Sequence, residues 1–284
     1  MEIINRRQRI ASIARKLRRN EKTVAFVPTM GSLHEGHLAL VKEARQIADV
    51  VIVSIFVNPT QFTDQADLDR YPRDLAGDAA LLAGFDVDYI FAPEASDIYG
   101  SEFSTFVYVE GLTETLEGAS RPGHFRGVAT VLTIFFNAIR PDFAVFGQKD
   151  AQQLAVIRRL TKDLGYDTEI VAVPIVREES GLALSSRNSL LAADEREKAS
   201  VIYRALCKAK SAFRDGARKG TVLTMIVQET LSAEPMVKVD YVAVVDAESL
   251  EPVEKIDVRE VLVTIAVNFG KVRLIDNLRL NKRQ

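Results

Sequence analysis

The feature that most constrains this chain is an alternation of continuous apolar runs with amphipathic segments, which extends through residue 176. The apolar runs are TVAFVPT, VVIVSIFVNP, VDYIFAP, DFAVFG and EIVAVPIV, and helix-period segments such as HLALVKEARQIA and DAQQLAVIRRLTKDLG separate them. Apolar strands without polar alternation are typical of a parallel sheet that helices cover on both faces. We therefore expect a doubly wound α/β domain over residues 1–176.

Residues 177–284 have a different character. A loop and a long charged helix are followed by the helical segment TVLTMIVQETLSA. Three further segments, VKVDYVAVVD, VLVTIAVNF and VRLIDNLRL, predict strands of antiparallel type. The pattern therefore predicts a smaller C-terminal α+β domain.

Two shorter stretches carry local predictions. The basic N-terminal stretch predicts the first helix of the fold, with Ile3, Ile10, Ile13 and Leu17 on one face. The stretch TFVYVEG, at 105–111, predicts an added short strand.

Composition narrows the classes of partner. The 37 Lys and Arg residues nearly balance the 39 Asp and Glu residues, so the net charge of −2 does not favour nucleic acid or an anionic membrane as the partner. The longest apolar runs are shorter than the ~20 residues of a membrane-spanning helix. The single cysteine, Cys207, cannot form an internal disulfide; it is expected to be a buried thiol in a cytoplasmic protein.

The polar residues that could carry chemistry follow the ends of the predicted strands. PTMGSLHEGH follows the first strand, NPTQF the second, FGQKD the fourth and PIVRE the fifth. In doubly wound sheets, ligands bind beyond the carboxyl ends of the strands. We therefore expect one site built from four strand ends.

The chain has neither a GxGxxG fingerprint nor a P-loop, but it has two of its three histidines in HEGH, at a strand–turn–helix junction. A helix N-terminus offers unpaired N–H groups to an anion, and two imidazoles placed there can donate to phosphate oxygens. His34 and His37 are therefore candidate phosphate ligands. Helix capping is the structural alternative, and a zinc site formed with His124, which lies beside Arg121 and Arg126, is the metal alternative.

Several longer motifs together resemble the pantoate–β-alanine ligase family of the HxGH nucleotidyl-transferring superfamily. These motifs are PTMGSLHEGH, SIFVNPTQF, YPRD, LEGASRPGHFRGVATV, FGQKDAQQL and GLALSSRN, in the family's order across residues 24–189. The resemblance implies a Rossmann-like fold of the HxGH nucleotidylyltransferase type. It also implies ATP-dependent condensation of pantoate with β-alanine through a pantoyl adenylate, with Mg²⁺ beside ATP and a homodimeric assembly.

The resemblance also implies roles for individual residues. His34, His37, Lys149 and Arg187 would be catalytic, and His37 would have the acid role. Gln61 and Gln153 would bind pantoate, with Gln61 also near β-alanine. The residues that would bind ATP are Met30, Gly31, Ser32, Leu33, His34, Glu35, Gly36, His37, Gly147, Gln148, Lys149, Asp150, Val176, Leu184, Ser185, Ser186 and Arg187.

Further expectations concern the nucleotide loop, the smaller domain and the metal. Asp150 could also cap the following helix, and LSSR resembles a mobile loop that closes over the triphosphate. The smaller domain is expected to be a lid, hinged near residues 177–180. An acidic cluster after NPTQF is interpreted as a solvated helix start that could assist Mg²⁺, and no protein ligand of the metal is predicted; its members are Asp67, Asp69, Asp74 and Asp78.

Three other functions stay open on the sequence. A plain nucleotidylyltransferase would leave the nucleotide on its acceptor. A zinc hydrolase would use the three histidines and need no ATP. A non-catalytic regulator would bind ATP without turnover.

Overall fold

The structure, a computed structural model, describes residues 1–257 and 260–281. The chain divides into two compact units, which we call unit 1 (residues 1–148 and 156–174) and unit 2 (residues 149–155 and 175–284). The elements up to residue 174 are β1 (Glu2–Ile4), α1 (Arg7–Arg19), β2 (Val24–Thr29), α2 (Glu35–Ile47), β3 (Val50–Ile55), α3 (Gln65–Arg70), α4 (Leu75–Leu82), β4 (Tyr89–Phe91), α5 (Ala95–Ile98), α6 (Glu117–Ser120), α7 (His124–Ile139), β5 (Phe143–Gly147), α8 (Ala151–Asp163) and β6 (Glu169–Val173).

Unit 1 is built on a six-stranded parallel sheet in the order β1-β4-β3-β2-β5-β6. The chain runs outward from β2 through β3 to β4 and then returns to the other side of β2 as β5. This reversal makes a topological switch point between β2 and β5, and ligands of such sheets bind beyond the strand ends at that point. The central strands are buried on both faces, for example at Phe26, Val27 and Ile52, as a doubly wound sheet requires. The predicted fold is confirmed.

Two local predictions in unit 1 are wrong. Ile3 lies in the edge strand β1 and is exposed, because α1 begins only at Arg7; Ile10 and Ile13 are buried on that helix as expected. The stretch TFVYVEG is not a strand. The N–H of Val107 donates to the hydroxyl of Thr130 on α7 (3.0 Å) instead of to a strand.

Unit 2 contains helices around a three-stranded antiparallel sheet in the order β7-β8-β9. Its core is a cluster that includes Leu206, Leu223, Val263 and Ile265. The other elements are α9 (Ala193–Lys198), α10 (Val201–Arg214), α11 (Gly220–Ser232), β7 (Val237–Asp246), β8 (Val261–Phe269) and β9 (Val272–Leu280). The small antiparallel α+β architecture predicted for this part of the chain is confirmed.

The expected burial of Cys207 is wrong. The side chain is exposed, because α10 buries its positions 202, 205, 206 and 209 and position 207 falls on the opposite face. Within the described ranges, no helix is long and apolar enough to cross a membrane. The domain boundary predicted between residues 176 and 177 stays a prediction.

Candidate active site

The turn after β2 has an unusual backbone. Gly31 and Ser32 both have positive φ values, +80° and +52°, in the left-handed region that favours glycine. A Cβ atom on Gly31 would lie 2.8 Å from a carboxylate oxygen of Asp78. Position 31 therefore requires glycine on both conformational and steric grounds.

Asp78, on α4, binds this turn from within the protein. It is only 4% exposed, and its two oxygens accept hydrogen bonds from the N–H groups of Ser32 (3.0 Å) and Leu33 (2.8 Å). Successive N–H groups in such a turn form a nest that binds anions, and here the anion is the protein's own carboxylate. The expectation of a solvated Asp78 is therefore wrong. The expectation that backbone N–H groups at this mouth are unpaired is wrong for Ser32 and Leu33.

His34 and His37 cap the start of α2 reciprocally. Nδ1 of His34 accepts from the N–H of Gly36 (3.1 Å), and Nδ1 of His37 accepts from the N–H of His34 (3.3 Å). The ring centroids are 4.1 Å apart. An Nδ1 that accepts a hydrogen bond carries no proton, so in each neutral ring the proton is on Nε2. Capping and phosphate binding are therefore compatible: the backbone fixes the tautomer in which Nε2 is a donor.

Gln61 lies beside the same turn. Its amide nitrogen donates to Sδ of Met30, and its amide oxygen accepts from Nδ2 of Asn58 (3.1 Å). Asn58 is 1% exposed and also bonds Gly127, Thr60 and Tyr99. Two sequence-predicted residues, Met30 and Gln61, are thus in direct contact. Asn58, which holds the amide of Gln61, was missed by sequence reasoning; its place in NPTQF was the only indication.

His124 supports Gln61 from the other side. Its Nδ1 is 2.8 Å from the carbonyl oxygen of Gln61, and its Nε2 is 3.3 Å from a guanidinium nitrogen of Arg121. A ring that donates from Nδ1 to a carbonyl has an Nε2 that accepts from arginine, so a metal ion could bind that nitrogen only by displacing the arginine. Among the described residues, no group of three or more His, Cys, Asp or Glu side chains could hold a metal ion. The zinc alternative is therefore not supported.

Tyr99 completes the polar cluster around Asn58. Its hydroxyl donates to Oδ1 of Asn58 (2.7 Å) and is 3.2 Å from the hydroxyl of Thr60. Burial raises the pKa of Tyr99 to about 12, although these two hydrogen bonds oppose the shift. The phenol therefore stays neutral and acts as a donor at physiological pH.

The residues predicted at the end of β5 are divided between the two units along the chain. Gly147 and Gln148 belong to unit 1, and Lys149, Asp150 and Gln153 belong to unit 2. Gly147 ends the strand, and a short 3-10 turn over Gln148–Asp150 leads into α8. Lys149 is half-buried and Asp150 is exposed. The role of Asp150 as a helix cap stays a prediction.

The remaining predicted ATP residues lie on one hairpin of unit 2. The N–H of Leu184 donates to the carbonyl of Val176 (3.0 Å), and residues 177 and 183 form an antiparallel bridge. Beyond it, Oγ of Ser185 accepts from the N–H of Arg187 (3.2 Å) and starts a 3-10 turn that includes Ser186. Val176 and the Leu184–Arg187 loop are thus held together within unit 2. A carbonyl has two lone pairs, so that of Val176 can still accept from an adenine amino group.

Three proteins are similar to the chain over nearly its whole length. A pantothenate synthetase from Heliobacterium modesticaldum is 51% identical over 278 residues, which cover 98% of this chain and 99% of that protein. The crystal structure of pantothenate synthetase from Thermus thermophilus matches with a TM-score of 0.90 and 45% identity, over 98% of this chain and 99% of that chain. The pantoate–β-alanine ligase of Francisella tularensis, complexed with β-γ ATP and β-alanine, matches with a TM-score of 0.81 and 36% identity, over 100% of this chain and 98% of that chain.

A family model agrees with these similarities. The model described as pantoate–β-alanine ligase matches residues 2–279, which is almost the whole chain. Since the match spans both units and the relatives are about half identical, the chain belongs to the pantoate–β-alanine ligase family.

Proposed function

We propose that the protein condenses pantoate with β-alanine, at the expense of ATP, to give pantothenate, AMP and pyrophosphate. The observation that carries this proposal is the paired HEGH turn, which fixes two Nε2–H donors, next to the Gln61–Met30 contact. The first feature suits a phosphate group and the second suits a small polar acid. Both features belong to unit 1.

The reaction has two steps. A carboxylate oxygen of pantoate attacks the α-phosphorus of ATP, and the bond from that phosphorus to pyrophosphate breaks. The amine of β-alanine then attacks the acyl carbon, the carbon–oxygen bond to AMP breaks, and the amine loses a proton. AMP is the leaving group, so no covalent nucleophile of the protein is needed.

The histidines contribute to the first step. Negative charge grows on the phosphate oxygens as the carboxylate attacks, and preorganised donors stabilise it because they need no reorientation. His34 and His37 supply such donors, and His37 has the acid role. The two histidine rings are positioned by the turn and the start of α2, which also contain Gly31, Ser32, Leu33, Glu35 and Gly36.

Residues of unit 2 contribute charge and nucleotide contacts. Lys149 and Arg187 neutralise phosphate charge as pyrophosphate departs, and Ser185 and Ser186 bind the triphosphate. Val176 binds adenine through its backbone. Asp150 and Leu184 also bind ATP, as do Gly147 and Gln148, which belong to unit 1.

Gln61 and Gln153 bind pantoate. An amide can donate and accept at once, which matches an acid that carries hydroxyl groups. The network of Asn58 and His124 supports this role, because it holds both the side chain and the carbonyl of Gln61.

Magnesium belongs to this proposal as a companion of ATP. Mg²⁺ usually keeps several waters and binds substrate phosphates. Both carboxylate oxygens of Asp78 already accept from the turn, and Asp74 accepts from the N–H of Gly77 at the start of α4. These observations favour Mg²⁺ held mainly by water and by phosphate oxygens, and the ion would neutralise part of the phosphate charge.

Three further expectations are part of the proposal. Residues 1–176 act as the ATP- and pantoate-binding domain and residues 177–284 as a lid, so solution scattering should change when ATP and pantoate are added.

The protein works as a cytoplasmic homodimer; light scattering should give twice the chain mass of 31.5 kDa. A mass of one chain at micromolar concentration would contradict the dimer.

The decisive experiment is ATP–pyrophosphate exchange with pantoate present and β-alanine absent. Exchange that requires pantoate demonstrates reversible adenylate formation, and AMP release on addition of β-alanine completes the reaction. No exchange by folded, ATP-binding protein would contradict the proposal. Transfer of the nucleotide to an acceptor without AMP release would instead indicate a nucleotidylyltransferase.

A further inference from the structure

A buried ion pair in unit 2 takes no part in the two proposed reaction steps. The carboxylate of Asp276, on β9, is 2% exposed and binds both terminal nitrogens of the Arg177 guanidinium, at 2.6 and 2.9 Å. Such a two-pronged pair fixes orientation as well as charge. Burial raises the pKa of Asp276, and the guanidinium of Arg177 opposes that shift.

Arg177 also links the tip of the hairpin that carries Val176 and Leu184 to Tyr203 on α10. Its guanidinium donates to the carbonyl of Gly181 (3.0 Å), at the tip of the hairpin, and lies over the Tyr203 ring at 3.9 Å. Gly181 has a φ of +90°, and a Cβ there would lie 2.4 Å from the Tyr203 ring, so the tip packs directly on α10. The guanidinium is therefore held by a carboxylate, a carbonyl and an aromatic face at once.

The residue after Asp276 contacts a different ATP-binding segment. Nδ2 of Asn277 donates to the carbonyl of Lys149 (2.9 Å), while the N–H of Asn277 donates to the carboxylate of Asp276 (2.7 Å). Two neighbouring residues of one strand thus reach the hairpin and the backbone of Lys149. All these groups belong to unit 2.

We propose that Asp276, Arg177 and Asn277 are positioning residues that hold Lys149 and the Val176–Leu184 hairpin in one fixed arrangement for ATP. This inference rests on the proposed function, since it takes those segments as ATP-binding. The three residues touch no reacting atom; they act through the backbone of the segments that do. Their contribution is preorganisation, which small displacements of a binding group can remove.

The energetics of the pair favour a positioning role over a simple stabilising one. Desolvation of two buried charges offsets much of their attraction, so well-packed apolar residues often stabilise a fold as well or better. What an apolar pair could not supply is the hydrogen bond that Arg177 donates to the carbonyl of Gly181 and the hydrogen bond that Asp276 accepts from the N–H of Asn277. We therefore expect the ion pair mainly to maintain the geometry of the hairpin.

The experiment compares variants within the antiparallel sheet of unit 2, on β9 and on β7. Asp276→Asn and Asn277→Ala remove the two links, and Asp240→Asn is the matched control. Asp240 forms a similar two-nitrogen pair with Arg273 of β9, but that pair is partly exposed and joins β9 to β7, a strand that carries no predicted ATP residue. Initial rates are measured at a temperature at which all variants are folded by circular dichroism.

We expect the KM for ATP to rise about tenfold or more in Asp276→Asn and Asn277→Ala, with the KM for pantoate within about twofold of wild type. The control should change neither value by more than about twofold, as is usual for exposed pairs. Arg177→Lys should resemble Asp276→Asn, because lysine keeps the charge and loses the planar fork.

Specific outcomes would overturn the inference. If the wild type shows pantoate-dependent exchange but Asn277→Ala has an unchanged KM for ATP, the positioning role is wrong and the proposed function stands. An equal fall in the kcat/KM values for ATP and pantoate would indicate a general structural role and would also contradict it. A wild type without exchange would overturn the proposed function itself.

Discussion

The backbone fixes the tautomer of His37, the residue for which we propose the acid role. Its Nδ1 accepts from the N–H of His34, which fixes the proton on Nε2 in the neutral ring. A histidine on an ordinary surface would exchange between both tautomers. The Nε2–H donor is therefore already oriented in the folded protein, and no free energy is needed to orient it during the proposed reaction.

Replacement of His37 by alanine should reduce pantoate-dependent exchange by roughly a hundredfold or more, because one preorganised donor contributes about 3 kcal/mol to transition-state stabilisation. The loss of a cap should lower the free energy of unfolding by only about 1 kcal/mol. Filter-based exchange assays and urea unfolding give the two quantities. Near-normal turnover in a folded variant would disprove the acid role.

The carboxylate of Asp78 is likewise held in one orientation by backbone N–H groups, those of Ser32 and Leu33. Asp78→Asn keeps the size of the side chain but places an NH₂ group against one of two backbone N–H donors. Leaving a buried donor unsatisfied costs about 1–3 kcal/mol, so we expect a lower unfolding midpoint in urea and weaker exchange activity.

Asp74→Asn is the matched control for Asp78→Asn. Asp74 lies on the same segment and accepts from the N–H of Gly77 at the start of α4, where asparagine caps about as well as aspartate. Its unfolding midpoint and exchange activity should stay close to wild type. Equal effects of the two variants would show that the contacts of Asp78 with the turn have no special importance.

Tyr99 should make stability depend on alkaline pH. Burial raises its folded pKa to about 12, above the value near 10 of an unfolded tyrosine, so its contribution is complete below pH 10 and is lost as pH rises towards 12. Phenolate absorbance should show a late-titrating group that Tyr99→Phe removes. Urea unfolding between about pH 9 and pH 11 should lose stability less steeply in that variant. An identical titration curve for Tyr99→Phe and wild type would refute the shift.

At the scale of elements, the strands with long apolar runs could be predicted from the sequence, and short segments could not. The six-residue strands β2 and β3 were predicted because nearly every position in them is apolar and buried. The three-residue β1 has no such pattern. TFVYVEG has strand-like alternation, yet its side chains Phe106 and Tyr108 are exposed and Thr130 takes one of its N–H groups. The conformation of such a short segment depends on its tertiary contacts, and the local sequence pattern carries no information about those contacts.

The start of α7 depends on one close approach between elements. A Cβ on Gly127 would lie 2.4 Å from the carbonyl oxygen of Thr60 and 2.6 Å from the N–H nitrogen of Gln61. Gly127→Ala must therefore push the Pro59–Gln61 turn away, which should destabilise the protein by about 1–3 kcal/mol, as overpacking does. Because Gln61 moves with that turn, the KM for pantoate should rise as well.

The matched control for Gly127→Ala is Gly84→Ala. Nothing lies within 4 Å of a Cβ built on Gly84, and its φ is not positive. That variant should leave both the unfolding midpoint and the KM for pantoate near wild type. A rise in stability without a change in KM for Gly127→Ala would contradict the expected displacement of Gln61.

At the scale of the whole molecule, the parallel sheet of unit 1 brings motif residues from different strand ends together, as in the contact of Gln61 with Met30, and the binding roles of these residues stay predictions. The sequence did not predict the residues that hold them. Asn58 lies in NPTQF and Asp78 in the acidic cluster, but neither pattern indicates a supporting role, and Asp276 and Asn277 lie outside every motif. All four residues form hydrogen bonds to partners between 41 and 128 positions away in the chain. Those partners become visible only once the chain is folded.

Metal removal gives a test of the molecule as a whole. Within the described part of the chain no residue cluster suits a bound ion, so a chelator should leave the melting temperature of the ligand-free protein unchanged. ATP with Mg²⁺ should raise that temperature, since a ligand at about a hundred times its Kd adds about 2.7 kcal/mol to folding stability. Addition of EDTA to the ATP-bound protein should reverse most of this rise, because the metal enters with the nucleotide. A fall in the melting temperature of the ligand-free protein with EDTA would instead reveal a resident metal and would return the zinc alternative to consideration.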